Sequence, residues 1–482
     1  MNSPLRIILI ITMVLSLALV SGVLAQGGLT YTSGVQVVNL DAVNAASIQL
    51  IYYDQATGNQ VATVNDTVPA GGSKTYFPLT GVTNFNGSMV ISSNTQIAAI
   101  ANTITPTGDY EASTTGFSGG STSFNLPLVM CNNSGFNTFF NVQNAGTADA
   151  NITINYIPAG AGVSGQSEIA TIKVGAAKTF DQQIGSSTKN CTQLADGTGK
   201  FVGGAQITSN QPVVATVMQL NSTTFRILMG YNGFAAGSGT VELPLIMANN
   251  NGFYTGVQVQ NTGTASTNVT LDYSPNNVSG GNNPTDETFT LAAGASKTIL
   301  QAGAPPGNGS VNNWGTVGKY VGAATVTNNN GQPMVAIVNQ VYNGSPGFGP
   351  VGTAYEGFNP ATATANISTP LIMSNNSGFY TGVQVQNVGA ANCPSVTIDY
   401  GPNTGGAGNP VNEVFSLNAK ASWTVIQSGA PPGNNSANNW TTIGKYVGSA
   451  EISAPGCTII AIVNEIRVST GDWFMTYTGI NH

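Results

Sequence analysis

The chain has 482 residues, of which 12 are Lys or Arg and 19 are Asp or Glu, for a formal net charge of −7. So few charges, a pI of 4.6 and no basic cluster exclude nucleic acid as a partner. Apolar residues still make up 41% and recur with a regular period, which excludes a disordered polymer.

Residues 1–25 read as a targeting segment. Arg6 supplies the positive start, residues 7–20 form an apolar run broken only by Thr12 and Ser16, and Val23-Leu24-Ala25 makes a small-residue cleavage site. Gln26 is then the first mature residue. The competing reading is a transmembrane anchor, which the short run and the lack of following stop-transfer charges disfavour. No membrane span is expected in the mature chain. Removing the leader takes away Arg6 and moves the net charge from −7 to −8.

The rest of the chain repeats. LPLVMCNNSGFNTFFNVQN starts at Leu126, LPLIMANNNGFYTGVQVQN at Leu243 and TPLIMSNNSGFYTGVQVQN at Thr369. A truncated version, GLTYTSGVQVVN, begins at Gly28. The period suits one domain better than a solenoid unit. The expected division is repeat 1 over residues 26–120, lacking the opening strand, repeat 2 over 121–236, repeat 3 over 237–364 and repeat 4 over 365–482.

Within a repeat the pattern alternates apolar and polar, the period of a half-buried strand. Val257-Gln258-Val259-Gln260 is followed by a Gly-containing turn and then Val269-Thr270-Leu271-Asp272-Tyr273. Strand-like segments follow at Glu287–Leu291, at 296–299, at 321–327 and at 334–339, with a last short one near Tyr355. No window of helical period competes. Seven or eight strands separated by Gly, Asn, Pro and Ser predict an all-β chain of four antiparallel β-sandwiches. In strand order and size these repeats resemble the immunoglobulin-like sandwiches of bacterial and archaeal secreted and cell-surface proteins. The antibody-type Cys…Trp…Cys spacing is absent. Whether each opening strand completes its own repeat or the one before is left open.

All four cysteines follow the leader, two in repeat 2 and two in repeat 4. An even count in an exported chain suggests disulfides. Three pairings are possible, and Cys131–Cys191 with Cys393–Cys457 is favoured because each repeat then closes on itself. Alternating strand directions put each pair at one end of its sandwich.

Chemistry is sparse. The only histidine is His482, so catalysis by a Ser-His-Asp or Cys-His set would need the last residue. The acids are scattered. Asp272 and Asp399 recur at one strand position, but repeat 2 has Asn155 there. The chain is expected not to be an enzyme and to use no cofactor or metal. Asn-Asn-x-Gly-Phe, as in Asn249, Asn250, Gly252 and Phe253, reads first as a turn with positive φ and a Phe plugging the core, and second as an amide-rich patch for glycan or calcium. Trp314 and Trp440, in long loops shared by repeats 3 and 4, are the candidate contacts for a ligand or partner.

These features predict a secreted or cell-surface structural and adhesive repeat protein: a stalk, coat or matrix component. Four sandwiches in a row would make a rod on the order of 140–160 Å. The alternatives are a non-catalytic carbohydrate-binding array and a self-polymerising filament or sheath subunit. Expected partners are cell-surface or matrix components, glycans among them, and further copies of the chain.

Overall fold

The computed structural model describes residues 11–15, 20–25, 29–160, 162, 165–183, 189–194, 199–223, 225–278, 281–344, 349–406, 408–467 and 471–482. They are all-β, with several antiparallel sheets, three single α-helical turns at Cys191–Leu194, Trp314–Val317 and Trp440–Ile443, and a 3-10 turn at Pro360–Thr362. The expected junction after Ala25 borders residues 26–28, which lie outside the described residues.

Repeat 3 shows the plan. One sheet runs Thr240–Ala248, Tyr320–Asn328, Thr267–Tyr273, Glu287–Leu291. The other runs Ser296–Leu300, Phe253–Asn261, Met334–Tyr342, Val351–Glu356. Val241, Leu243, Leu271 and Val326 of the first sheet meet Val257, Val259, Ala336 and Val338 of the second in one buried cluster. Each sheet supplies every second residue to that cluster, as the alternation demands. Among the described residues, no sheet mixes strands of two repeats. The opening strand Thr240–Ala248 pairs with Tyr320–Asn328 of its own repeat. In repeat 2 the two sheets are joined by one long strand, Phe201–Asn221.

Cys131 is bonded to Cys191 and Cys393 to Cys457, with Cα separations of 5.4 and 5.8 Å. Both lie within the range a disulfide spans without backbone movement.

The Pro of each opening strand sets a second feature. Pro127, Pro244 and Pro370 bring no N–H to the ladder, and the register of each strand shifts there. A tyrosine from the strand Ile227–Asn232, Val351–Glu356 or Phe474–Thr478 of the same repeat fills the gap. The hydroxyls of Tyr231, Tyr355 and Tyr477 donate to the carbonyls of Leu128, Leu245 and Leu371 at 2.7, 2.6 and 2.6 Å.

The repeats do not extend into the rod that tandem order suggested. They close on themselves. The last strand of repeat 1, Glu111–Thr115, packs on its counterparts in repeat 2, Ile227–Asn232, and in repeat 4, Phe474–Thr478. Val351–Glu356 of repeat 3 packs on those same two strands. Four strands, one from each repeat, thus surround a common axis. The apolar clusters cross the junctions too. Ile337 of repeat 3 joins the cluster of repeat 2, Ile462 of repeat 4 that of repeat 3, and Ile100 of repeat 1 that of repeat 4. A rod would leave these isoleucines in water.

Asp472 caps the axis. Its carboxylate accepts the backbone N–H of Leu228 at 2.7 Å, of Gly352 at 3.4 Å and of Glu111 at 3.5 Å. These come from the other three repeats, at matched positions before the repeated Gly-Phe or Gly-Ile that ends each axial strand. Replacing Asp472 by Ala would leave buried donors unpaired, at a cost of roughly 2–4 kcal/mol. The expected outcome is a clear fall in melting temperature by calorimetry, with the disulfides intact. An unchanged transition would remove Asp472 from the closure.

Candidate functional site

The two sequence candidates lie inside their repeats. Trp314 and Trp440 are both 0% exposed. Asn313 caps the single turn that Trp314 opens, and this turn aims the indole inward. There it meets Tyr273 edge-on at 5.6 Å and donates from Nε1 to Ser310 Oγ at 3.3 Å. Buried Glu287 holds the loop down. It accepts from Ser310 Oγ, from the Val311 N–H at 2.8 Å and from Asn312 Nδ2 at 3.0 Å. Repeat 4 repeats the network with Trp440, Ser436, Glu413 and Asn438. Neither indole presents a face to a ligand, which corrects the expectation drawn from their place in long loops. The signal missed was the acid that opens the strands Glu287–Leu291 and Glu413–Leu417.

The Asn-Asn-x-Gly-Phe segment is a turn. Asn249, Asn251 and Gly252 have φ of 46°, 52° and 91°, and repeats 2 and 4 match them. Its first Asn has a further task. Asn249 Nδ2 donates to the carbonyls of Trp314 and Gly318 at 2.7 and 3.0 Å, which ties the Trp loop to the opening strand. Asn375 does the same to Trp440 and Gly444.

The tryptophan that does reach solvent is Trp423, 37% exposed on the edge strand Ser422–Ile426. Repeats 1 to 3 carry Lys74, Lys178 and Lys297 at this position, each over an aromatic ring. Aligning Ser-Lys-Thr with Ser422-Trp423-Thr424 would have marked this side chain as outward-facing. Val411 and Val414, 62% and 67% exposed, stand on the neighbouring segment.

The most faithfully repeated residues line clefts where repeats meet. Between repeats 3 and 4 lies a cleft of about 520 Å³, walled by Leu245, Met247 and Phe253 on one side and Asn464, Ile466 and Phe474 on the other. Between repeats 4 and 1 lies one of about 340 Å³. There Leu371, Met373 and Phe379 face Asn102, Ile104 and Gln36.

At these two junctions and at that of repeats 2 and 3, the repeats exchange side-chain hydrogen bonds. Gln219 of repeat 2 and Asn339 of repeat 3 donate to each other at 3.0 and 2.8 Å. Gln340 of repeat 3 and Asn464 of repeat 4 do likewise at 3.0 and 3.1 Å. At the closing junction Glu465 stands in the Gln position and accepts from Asn102 at 2.9 Å. At the junction of repeats 1 and 2 the pair is Thr103 and Met218. An apolar cluster of Tyr31, Tyr110, Phe139, Met218 and Leu228 takes its place.

The closing junction therefore concentrates acid. Burial raises Glu465 to about 8, aided by the charge of Glu111 and opposed by the hydrogen bond from Asn102. Burial raises Glu111 to about 7, against the Arg467 guanidinium 2.9 Å away. Burial also lifts Asp472 well above the usual carboxylate range. The folded chain thus binds protons more tightly than the unfolded one.

No family model matches this chain, and no curated protein matches it.

The raised carboxyls fix the sign of a pH dependence. Their stabilisation is complete below the unfolded value near 4 and is lost as pH rises through 7 and 8. The melting temperature should therefore be higher near pH 5 than near pH 8.5. Glu465→Gln would restore the amide pair of the other junctions. It is expected to gain about 1–3 kcal/mol at pH 8.5 and to flatten the profile. A profile unchanged by Glu465→Gln would contradict this reading.

Proposed function

We propose that this chain is a secreted or cell-surface structural and adhesive protein without catalytic activity. Residues 1–25 serve as its leader. Four immunoglobulin-like sandwiches, over residues 26–120, 121–236, 237–364 and 365–482, are joined in a ring as a coat, matrix or adhesion unit. The observation that carries the reading is where the repeated residues are spent. Leu245, Met247, Asn249 and Phe253 and their counterparts build junctions and hold loops. That is the economy of a scaffold, in which one domain design is reused to make contacts with itself. Two disulfides and a surface of Asn, Thr, Ser and Gln support an extracellular setting. An antibody to the purified protein should label the outside of intact cells or the culture medium. Label confined to the cytosol would contradict the reading.

The carbohydrate-binding alternative rests on Trp423, because an exposed indole can stack on a sugar ring. Trp423→Ala is expected to leave melting unchanged and to weaken retention on glycan-coated beads at least tenfold. Trp314→Ala should instead cost about 3–5 kcal/mol of stability. Equal retention by Trp423→Ala and the parent chain would remove the carbohydrate reading.

A further inference from the structure

Two demands meet on the same residues in repeat 1. Residues 7–20 form the apolar part of the leader. Yet Ile11–Leu15 is a strand, antiparallel to Gly87–Ser93, with Met13 opposite Ile91 and Leu15 opposite Met89. Repeat 3 places Val241 opposite Val326 and Leu243 opposite Ala324. Repeat 4 places Ile367 opposite Ile452 and Thr369 opposite Ala450. Counting from the shared glycine of each partner strand (Gly87, Gly322 and Gly448), Met89 corresponds to Ala324 and Ala450, and Ile91 to Val326 and Ile452. Met13 therefore takes the place of Val241 and Ile367, and Leu15 that of Leu243 and Thr369. The register is the same in all three repeats.

The sequence continues the match. Leu15-Ser16-Leu17-Ala18-Leu19 aligns in sequence with Leu243-Pro244-Leu245-Ile246-Met247. The strand that receives it is poorly defended. Gly87–Ser93 reads GSMVISS, with no charge and no proline, and Met89 and Ile91 are 0% exposed. Without a neighbour it would be the open edge of the sheet ordered Gly87–Ser93, Ala46–Asp54, Gln60–Val68. Such an edge recruits another strand.

We propose that the Gly87–Ser93 edge of repeat 1 is an acceptor for an extended apolar strand, and that Ile11–Leu15 of the leader is its occupant. Repeat 1 does not lack its opening strand, as its sequence suggested. The leader supplies it. The inference does not rest on export, because the pairing concerns the chain before any cut after Ala25. A cut there would make the occupant a separate peptide that its partner strand holds without a covalent link.

The full-length chain with Val14→Cys and Val90→Cys tests this, since the two positions face each other in the register. It would be made in a reducing cytosol, where no leader is removed, and then oxidised. Peptide mapping should find a 14–90 disulfide beside the two native ones. Val14→Cys with Val43→Cys, the latter on an exposed loop, should stay unlinked. Thiols at 14 and 90 that both remain open to alkylation would overturn the proposal.

A second arm compares residues 26–482 with the full chain by hydrogen exchange. Amides of Gly87–Ser93 should exchange at least about tenfold faster in the shorter chain. A synthetic peptide of residues 9–21 should restore their protection. Equal exchange in the two chains would overturn the proposal. So would filaments of the shorter chain that the peptide fails to disperse, which would assign the edge to a second copy.

Discussion

The structure depends on closure. Four domains in tandem have free ends, and nothing in a covalent chain obliges the fourth to touch the first. Here they touch because the axial strands pack on one another and, at three of the four junctions, the strands beside them supply an amide or acid pair. Gln219 with Asn339, Gln340 with Asn464 and Glu465 with Asn102 are one contact used three times. Gln219, Gln340, Asn464 and Glu465 are buried, so each of these side chains left alone would lose its water without a replacement. This makes the junctions specific as well as adhesive. An amide pair that exchanges two hydrogen bonds accepts one relative placement of the domains. An apolar patch alone would tolerate sliding.

The junction that lacks the pair is the one between repeats 1 and 2, where Met218 stands in an aromatic and aliphatic cluster. The junction between repeats 4 and 1 carries acid instead. Glu465, Glu111 and Asp472 converge there with Arg467, which pairs with Glu111, as the nearby cation. Burial of carboxyls in this number is tolerable when they are protonated, and it makes the closure the most proton-dependent part of the ring.

Much of the strand plan was legible in the sequence. The alternation in Val257-Gln258-Val259-Gln260 needs no tertiary information, and strand direction alone put each cysteine pair at one end. The Trp loops misled because loop length was read as exposure. A buried carboxylate, Glu287 or Glu413, gathers each loop inward, and an acid at a strand start looks like any surface acid. Trp423 was overlooked for the opposite reason. It stands in a strand that reads as half-buried, and only the lysines of the other repeats show which half. Ring closure left the faintest trace. Gln219, Asn339, Gln340 and Asn464 sit in alternating strands, where a polar residue is expected to face water. Whether it faces water or another domain is decided by a surface far away in the sequence.

Small-angle X-ray scattering of the purified chain in solution addresses the closure most directly. A ring of four packed domains should give a radius of gyration of about 23–26 Å, near the value for one compact body of this length. A radius near 45 Å, with the scattering of a rod about 150 Å long, would contradict the account.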